Sequence, residues 1–246
     1  MLSRNNALFA LFLIGALCLT LFYMKITPNS YSTASQSENV RIGKYESLSE
    51  KTVERVEEVM RKVLDFHERL SKSEKRVFSQ NKEDGVIEEL VVRVLNISRD
   101  GYYVEFGTEN GDQCNTRYLR ERFNWSGLLM DGGHVNPSIN LHRESIMHSN
   151  IVELFRKHAV RPEPDLFSED TDYADYWIVE SVLRGGYRPK VLVHEVNQQK
   201  PDLCVTVPRP DTLTFWDGAA EYHGGSVCAF HCLAKQFNYT MVYCES

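Results

Sequence analysis

The chain lacks an excess of positive charge. Its 28 Lys and Arg residues are outnumbered by 34 Asp and Glu residues, which gives a formal net charge of −6. This balance excludes the broad basic surface on which nucleic-acid binding depends, so no nucleic-acid partner is expected. No internal repeat is visible either, and a length of 246 residues leaves room for one domain with accessory segments.

Cysteine is also scarce, with six residues in the chain. Cys18 lies in an apolar N-terminal run. The other five cysteines are an odd number, so in an oxidising compartment at least one thiol would stay free or pair between chains. Cys228 and Cys232 are four residues apart on a predicted helix, a spacing that two small buried side chains explain. A zinc site would need two further ligands, so no metal site is predicted.

The GxGxxG fingerprint of dinucleotide-binding folds is missing as well. The nearest stretch, Tyr102–Gly111, predicts a buried strand that carries Glu105, then a loop with Gly107 and Gly111, and then a helix. A dinucleotide fingerprint would need glycine in place of Glu109, so no turn is set up for a pyrophosphate. Strand, glycine loop and helix are typical of α/β folds that bind an adenosine-bearing cofactor, and the pattern suits S-adenosyl-L-methionine better than a dinucleotide.

A second carboxylate is predicted beside this loop. About twenty residues on, the short strand Ser126–Met130 ends in Asp131, where such folds use an acid to bind ribose hydroxyls. An ordinary strand–turn–helix junction is the alternative explanation of the spacing. The candidate cofactor-binding residues are Glu105, Gly107, Thr108, Gly111 and Asp131.

The remainder of the domain alternates between strand and helix patterns. Strands are expected at 102–106, 127–130, about 165–169, 190–196 and 239–244, and helices at 113–122, 150–158, 174–184 and 224–236. This alternation predicts an α/β fold with a Rossmann-like, doubly wound, mostly parallel sheet. Its ligand crevice would lie at the carboxyl ends of the strands. Four acids fall at or near such ends: Glu105, Asp131, Asp170 and Asp172.

The N-terminal region predicts a membrane anchor. After a short tail at 1–6, the apolar run Ala7–Met24 would form a helix about 27 Å long, which spans a bilayer core. A cleaved signal peptide is the alternative. The run is longer than a usual h-region, however, and its end offers no small-residue cleavage site. Residues 25–45, rich in Ser, Asn and Thr, predict a flexible linker.

Residues 46–72 predict a helical stem. Its apolar positions step by three and four residues, through Val53, Val56, Met60, Val63, His67 and Leu70. This heptad spacing is typical of a short coiled coil, which would give a homodimer through the 53–70 stem helix. An amphipathic helix docked on its own domain is the alternative.

A series of short motifs runs in order through the domain at 79–246. They are SQNKEDG at Ser79–Gly85, VEFGTENG at Val104–Gly111, CNTRYL at Cys114–Leu119, WSGLLMDG at Trp125–Gly132, SNIVELF at Ser149–Phe155, DLFSEDTDYADYW at Asp165–Trp177, YRPKVLVHEVN at Tyr187–Asn197, VTVP at Val205–Pro208, HGGSVCAF at His223–Phe230 and YTMVYCES at Tyr239–Ser246. Together they resemble the FkbM-type methyltransferase domain, in its membrane-anchored eukaryotic branch.

The resemblance implies an S-adenosyl-L-methionine-dependent O-methyltransferase of unknown acceptor. Gly107 and Gly111 would shape the loop around the methionine part of the cofactor, and Glu105 would hold its amino group. Asp131 would bind the ribose. The acceptor would be a small molecule or a glycan.

The segment Asp170-Thr171-Asp172 is compatible with two chemistries. The resemblance implies that Asp170 or Asp172 faces the acceptor hydroxyl as a catalytic base or as an orienting group. The same DxD spacing is typical of glycosyltransferases, in which two carboxylates hold a divalent metal that bridges a nucleotide-sugar diphosphate. The flanking motifs favour the methyltransferase.

Two departures from the family favour a different class of protein. Glu169 and Thr171 replace aliphatic residues, and Tyr173 replaces a glycine and would crowd the pocket where methyl donor and acceptor meet. The chain also ends without the family's last strand, so the strand at Tyr239–Glu245 would lose a neighbour and present an open edge. These features favour a catalytically silent adaptor or cargo-trafficking protein, whose partner would be a secretory cargo protein.

Three sequons accompany the predicted anchor, at Asn96, Asn124 and Asn238. Asn96, at the end of a predicted helix, is the best acceptor candidate. Together with the anchor, the sequons predict a single-pass type II membrane glycoprotein of the endoplasmic reticulum or Golgi, with its domain in the lumen.

Overall fold

A computed structural model of the chain describes residues 20–25, 50–197, 203–212 and 223–245. The strands are β1 (Thr20–Lys25), β2 (Tyr102–Phe106), β3 (Ser126–Asp131), β4 (Leu141–Arg143), β5 (Leu166–Glu169), β6 (Val191–Glu195) and β7 (Tyr239–Glu245). The helices are α1 (Glu50–Ser73), α2 (Glu83–Glu88), α3 (Arg117–Phe123), α4 (Ile151–Lys157), α5 (Asp175–Arg184) and α6 (Val227–Gln236). A π-helical turn, Glu89–Val94, continues α2, and a 3₁₀ turn, Pro137–Ile139, precedes β4.

Within the described residues the strands form one seven-stranded sheet in the order β4-β3-β2-β5-β6-β1-β7. Strands β2 to β6 pair in parallel, whereas β1 runs antiparallel to both β6 and β7. The predicted α/β fold with a mostly parallel sheet is therefore confirmed. The chain leaves β2 towards β3 and β4 on one side and returns to β5 on the other. The topological switch point, where such sheets bind ligands, lies between β2 and β5.

The sheet is buried on both faces, because its strands carry apolar side chains on both sides. One face packs against α4, α5 and α6, where Phe106, Phe155 and Phe167 meet edge to face with ring centroids 5.1 to 6.0 Å apart. The other face packs against α2, α3 and the end of α1. Helices thus cover the faces of the sheet, and the carboxyl ends of the strands remain available for a site.

The N-terminal run differs from its prediction. The prediction of a membrane-spanning helix over Ala7–Met24 is wrong for Thr20–Met24, which belong to β1. Residues 7–19 of the predicted anchor and 26–45 of the predicted linker lie outside the described residues. Among the described helices, none combines the length and the apolar character needed to cross a bilayer.

Strand β1 supplies a neighbour to the C-terminal strand, which was predicted to lose one, but β7 is still the edge strand of the sheet within the described residues, as the prediction of an open edge implies. It lies between β6 and β7 and pairs with both, so that Tyr23 is opposite Leu192 on one side and Met241 on the other. The strand beside β7 is thus β1, which comes from the N-terminal side of the chain.

Packing of Tyr23 explains why β1 holds this place. Its side chain is 1% exposed, and its ring stacks on His194 with centroids 5.4 Å apart. The His194 ring stacks in turn on Phe230 at 3.8 Å. Burial lowers the pKa of His194 to about 4, so the imidazole in this stack is neutral at physiological pH. The Tyr23 hydroxyl is buried and has no hydrogen-bond partner in the described part of the chain.

We predict that Tyr23→Ala lowers the free energy of unfolding by about 3–5 kcal/mol, because it leaves a cavity between β6 and α6. Tyr23→Phe is the matched control. It should be neutral or slightly stabilising, because it removes a buried hydroxyl that lacks a partner. Denaturant unfolding of the purified chain measures both. Equal, small effects of the two substitutions would show that β1 is not part of the sheet.

Candidate functional site

The loop after β2 is held by a buried carboxylate. Glu105 Oε1 accepts a hydrogen bond from the Asn115 backbone N–H at 2.7 Å, and Oε2 accepts bonds from the backbone N–H and the hydroxyl of Thr116 at 3.0 and 2.5 Å. These bonds fix the start of α3, which begins at Arg117 rather than at the predicted 113. Burial raises the pKa of Glu105 to about 7, although the bonds from Thr116 and Asn115 favour its ionised form.

Glycine is required at the end of β2. Gly107 has φ of +66°, and a Cβ built there would lie 1.7 Å from the carbonyl oxygen of Asp170. The ends of β2 and β5 therefore touch through backbone atoms at the switch point. Gly111 also has a positive φ, of +84°, and its missing Cβ leaves space for Ile139. Both glycines thus have positive φ angles, which favour glycine, and the atoms that lie closest to them belong to the protein itself.

Asp131 connects the end of β3 to the glycine loop. Its Oδ2 accepts a hydrogen bond from the Glu109 backbone N–H at 3.0 Å, and its Oδ1 accepts bonds from the backbone N–H groups of Gly133 and His134. Burial alone would raise the pKa of Asp131, but the bonds from Gly133 and His134 lower it below its usual range. One lone-pair direction on Oδ2 remains for a ligand. Thr108, in the same loop, is 1% exposed, and its hydroxyl lacks a hydrogen-bond partner within the described residues.

A small cleft opens beside Gly107, at the switch point. Its enclosed volume is about 30 Å³, which is room for a water molecule, so a larger ligand would extend beyond the cleft. The cleft is lined by Gln80, Glu83, Glu105, Phe106, Gly107, Gln113, Cys114, Asn115 and Asp170. Three of these residues are acids, and none is Lys, Arg or His. Among the described residues, the lining is therefore suited to a ligand that carries positive charge.

Three carboxylates meet at the ends of β5 and β6. One oxygen from each of Asp170, Asp172 and Glu195 lies within 4.8 Å of the others. Burial, followed by the negative charge of Glu195, raises the pKa of Asp170 well above its usual range. Burial and the charges of Asp175 and Asp172 raise the pKa of Glu195 to about 7, although a hydrogen bond from Asp170 opposes this rise. Such a group either shares protons or holds a divalent cation.

The polar residues at the end of β5 form a buried network. Glu169 and Asp175 are each 1% exposed. The Thr171 hydroxyl donates to Glu169 Oε1 at 2.8 Å, and the Thr171 backbone N–H donates to Asp175 Oδ1 at 2.8 Å. Burial and the charge of Asp175 raise the pKa of Glu169 well above its usual range. Glu169 and Thr171, at positions where the resemblance implies aliphatic residues, thus bond to each other, whereas Glu169 Oε2 and Asp175 Oδ2 are buried and have no hydrogen-bond partner within the described residues.

Tyr173 does not occupy the position that its sequence context suggests. Its side chain packs against the apolar cluster under α4, α5 and α6, and it is not among the residues that line the cleft. The residue with a left-handed backbone in this turn is Asp172, with φ of +65°. Tyr173 therefore does not crowd this cleft, and its effect on an acceptor pocket stays a prediction.

The structure brings Glu105, Gly107 and Asp170 together at one cleft, with Asp172 beside Asp170. Thr108, Gly111 and Asp131 lie in or next to the same loop but do not line the cleft. Sequence reasoning missed Glu195, although it ends a predicted strand as Glu105 does. It also missed Gln80, Gln113 and Asn115, the amide-bearing residues of the cleft, because their positions in the sequence follow no recognisable pattern.

A group of cysteines lies away from this cleft. Cys204 and Cys228 form a disulfide, so the expectation of a reduced, buried Cys228 is wrong. Cys232 is a free, exposed thiol whose Sγ lies 3.8 Å from Sγ of Cys204. The disulfide accounts for the positions of Cys204 and Cys228 without a metal.

The chain was compared with known protein families and with curated proteins. No family model matches the chain, and no curated protein matches it.

We predict that Glu195→Gln changes how stability depends on pH. The pKa of Glu195 is raised in the folded state, from 4.5 to about 7, so its contribution is fully present below pH 4.5 and is lost as the pH rises through 7. Glutamine stays neutral. The free energy of unfolding of the variant, relative to wild type, should therefore rise by on the order of 2–3 kcal/mol across that window.

Denaturant unfolding at a series of pH values, in the presence of a chelator, measures this difference. Glu153→Gln, on the exposed side of α4, is the control for the same chemical change. A difference between Glu195→Gln and wild type that stays constant with pH would contradict the assignment.

Proposed function

We propose that the chain is an S-adenosyl-L-methionine-dependent O-methyltransferase whose cofactor binds at the switch point between β2 and β5. The observation that carries this proposal is the cleft beside Gly107, which has three acids and no basic side chain in its described lining. S-adenosyl-L-methionine presents a sulfonium and an ammonium group. An anionic dinucleotide would meet unfavourable charge in the same place.

The residues present fit this cofactor in three respects. Glu83 and Asp170 supply negative charge, and Gln80, Gln113 and Asn115 supply amides for the methionine carboxylate. The free lone pair on Asp131 Oδ2 suits a ribose hydroxyl.

Glu105 has a different role from the one implied by resemblance. Its carboxylate already accepts three hydrogen bonds from Asn115 and Thr116, so it mainly holds the loop and the start of α3 in place. Glu105 also lines the cleft. The main counter-charge to the cofactor is therefore assigned to Asp170 and Glu83.

The bound cofactor supplies an electrophilic methyl group on sulfur. The chain then has to hold the acceptor hydroxyl and take its proton. The Asp170–Glu195 pair suits this task, because its two carboxyl groups share a proton and the pKa of Glu195 is about 7. A base with a pKa near the working pH accepts and releases protons efficiently. Asp172, which is exposed at the rim, would orient the acceptor.

The carboxylate group also supports a second candidate function. Three carboxylate oxygens within 4.8 Å could hold Mg²⁺ or Mn²⁺, as a DxD glycosyltransferase requires for a nucleotide-sugar diphosphate. Binding of a nucleotide diphosphate only with Mn²⁺, and no binding of S-adenosyl-L-methionine, would favour that function. Binding of the methyl donor without turnover on any acceptor would favour a silent adaptor.

We also propose that the domain resides in the lumen of the secretory pathway. The Cys204–Cys228 disulfide is typical of an oxidising compartment, and all three sequon asparagines, Asn96, Asn124 and Asn238, are exposed. The predicted membrane anchor over Ala7–Met24, and the type II orientation in the endoplasmic reticulum or Golgi that depended on it, are not part of this proposal, because Thr20–Met24 belong to β1.

We predict that the chain distinguishes S-adenosyl-L-methionine from S-adenosylhomocysteine, which lacks the sulfonium charge. The raised pKa values of Glu105, to about 7, and of Asp170 mean that a cationic ligand must displace protons. The preference for the methyl donor should therefore increase as pH rises through about 7, with proton release on binding. Titration calorimetry of both ligands at several pH values measures it.

Three variants extend this experiment. Asp170→Asn should remove most of the preference for the sulfonium ligand, whereas Asp100→Asn, an exposed acid just before β2, should retain it. Asp131→Ala should weaken both ligands alike, by roughly 1.5–3 kcal/mol, because the ribose is common to both. No heat with either ligand from a folded chain would overturn the proposed function.

A further inference from the structure

Three sulfur atoms meet where the segment at 203–212 touches the first turns of α6. The Sγ atoms of Cys204, Cys228 and Cys232 all lie within 4.8 Å of one another, in a group that we call the sulfur cluster. Cys204 and Cys228 are joined as a disulfide, and Cys232 is a free thiol whose Sγ lies 3.8 Å from Sγ of Cys204. A thiol so near a disulfide sulfur is placed for thiol–disulfide exchange.

The two helix cysteines are alternative partners for Cys204. Cys228 is the second residue of α6, and Cys232 lies one turn further along, so both side chains are on the same side of the helix. The three sulfurs form a compact triangle, so an attack in line with the disulfide requires Cys232 to rotate about its Cα–Cβ bond. Its side chain is exposed, and exposed side chains change rotamer rapidly.

Backbone hydrogen bonds hold the segment around Cys204 against α6 independently of the disulfide. The Ser226 N–H donates to the Val205 carbonyl oxygen at 2.9 Å, and the Val207 N–H donates to the Gly224 carbonyl oxygen at 3.0 Å. Because these bonds follow Cys204 closely in the chain, they keep it beside the helix when the disulfide opens.

We propose that the sulfur cluster is a thiol–disulfide exchange site, in which Cys204 bonds with either Cys228 or Cys232. The Cys232 thiol first gives its proton to solvent. Its thiolate then attacks Sγ of Cys204, so that the Cys204–Cys232 bond forms as the Cys204–Cys228 bond breaks. Cys228 leaves as a thiolate and takes a proton from solvent. One disulfide and one thiol are present before and after, so the step needs neither an oxidant nor a reductant.

The position of Cys228 favours its release. A thiolate there lies in the first turn of a ten-residue helix, where the backbone N–H groups carry partial positive charge. The exchange moves the attachment of Cys204 by one turn of α6, about 6 Å along its axis. It also transfers the free thiol from the exposed Cys232 to the half-buried Cys228. The linkage therefore sets how accessible the free thiol is.

Disulfide mapping of the purified full chain by mass spectrometry tests the proposal without the cofactor. The chain is held at about pH 8, where thiolate is available, and is then quenched in acid, which stops exchange. We expect both linkages in wild type, with Cys204–Cys232 within about a hundredfold of Cys204–Cys228, because both join the same segment to the same helix. Cys232→Ser should show Cys204–Cys228 alone. Cys114→Ser, which removes the buried free thiol, should match wild type.

A Cys228→Ser variant provides the second arm. In a glutathione buffer, which supplies the oxidant, Cys204 should bond with Cys232 rather than with glutathione, because the neighbouring thiol has the higher effective concentration. Far-ultraviolet circular dichroism checks that each variant is folded. A wild type with Cys204–Cys228 alone, a folded Cys228→Ser chain without the Cys204–Cys232 bond, or three reduced sulfurs that hold zinc would each overturn the proposal.

Discussion

The backbone contact between Gly107 and the carbonyl oxygen of Asp170 determines the geometry of the candidate site. A Cβ at position 107 would lie 1.7 Å from that oxygen, so no other residue fits without moving β2 or β5. Because the two strands flank the switch point, this contact brings the glycine loop beside the carboxylates that follow β5. Every functional assignment made for Asp170 depends on it.

The electrostatics of this end of the sheet are unusual, because carboxylates outnumber cations there. Glu105, Glu169, Asp170, Asp175 and Glu195 all have pKa values raised mainly by burial. Buried acids without counter-charges lower stability at neutral pH unless protons or a ligand compensate them. A bound cation would relieve this cost. Protons held by the same acids would relieve it as well.

Much of this architecture could be predicted from the sequence, since the signals are local. Tyr102–Phe106 is a buried run before a glycine loop, and Glu105 and Asp131 were found from their places at strand ends. Glu195 could have been found in the same way. The place of β1 could not, because an apolar run of that length equally suits a bilayer, and its pairing with β6 and β7 joins residues far apart in the chain. The packing of Tyr173 was also decided by tertiary contacts.

Hydrogen exchange of the full chain, with and without S-adenosyl-L-methionine, would locate the proposed cofactor site directly. We predict slower exchange in the loop at 107–115 and in the segment at 170–172, and little change in the N-terminal half of α1. Unchanged exchange in these two segments at a saturating concentration of the ligand, or protection confined to another region, would contradict a cofactor site at the switch point.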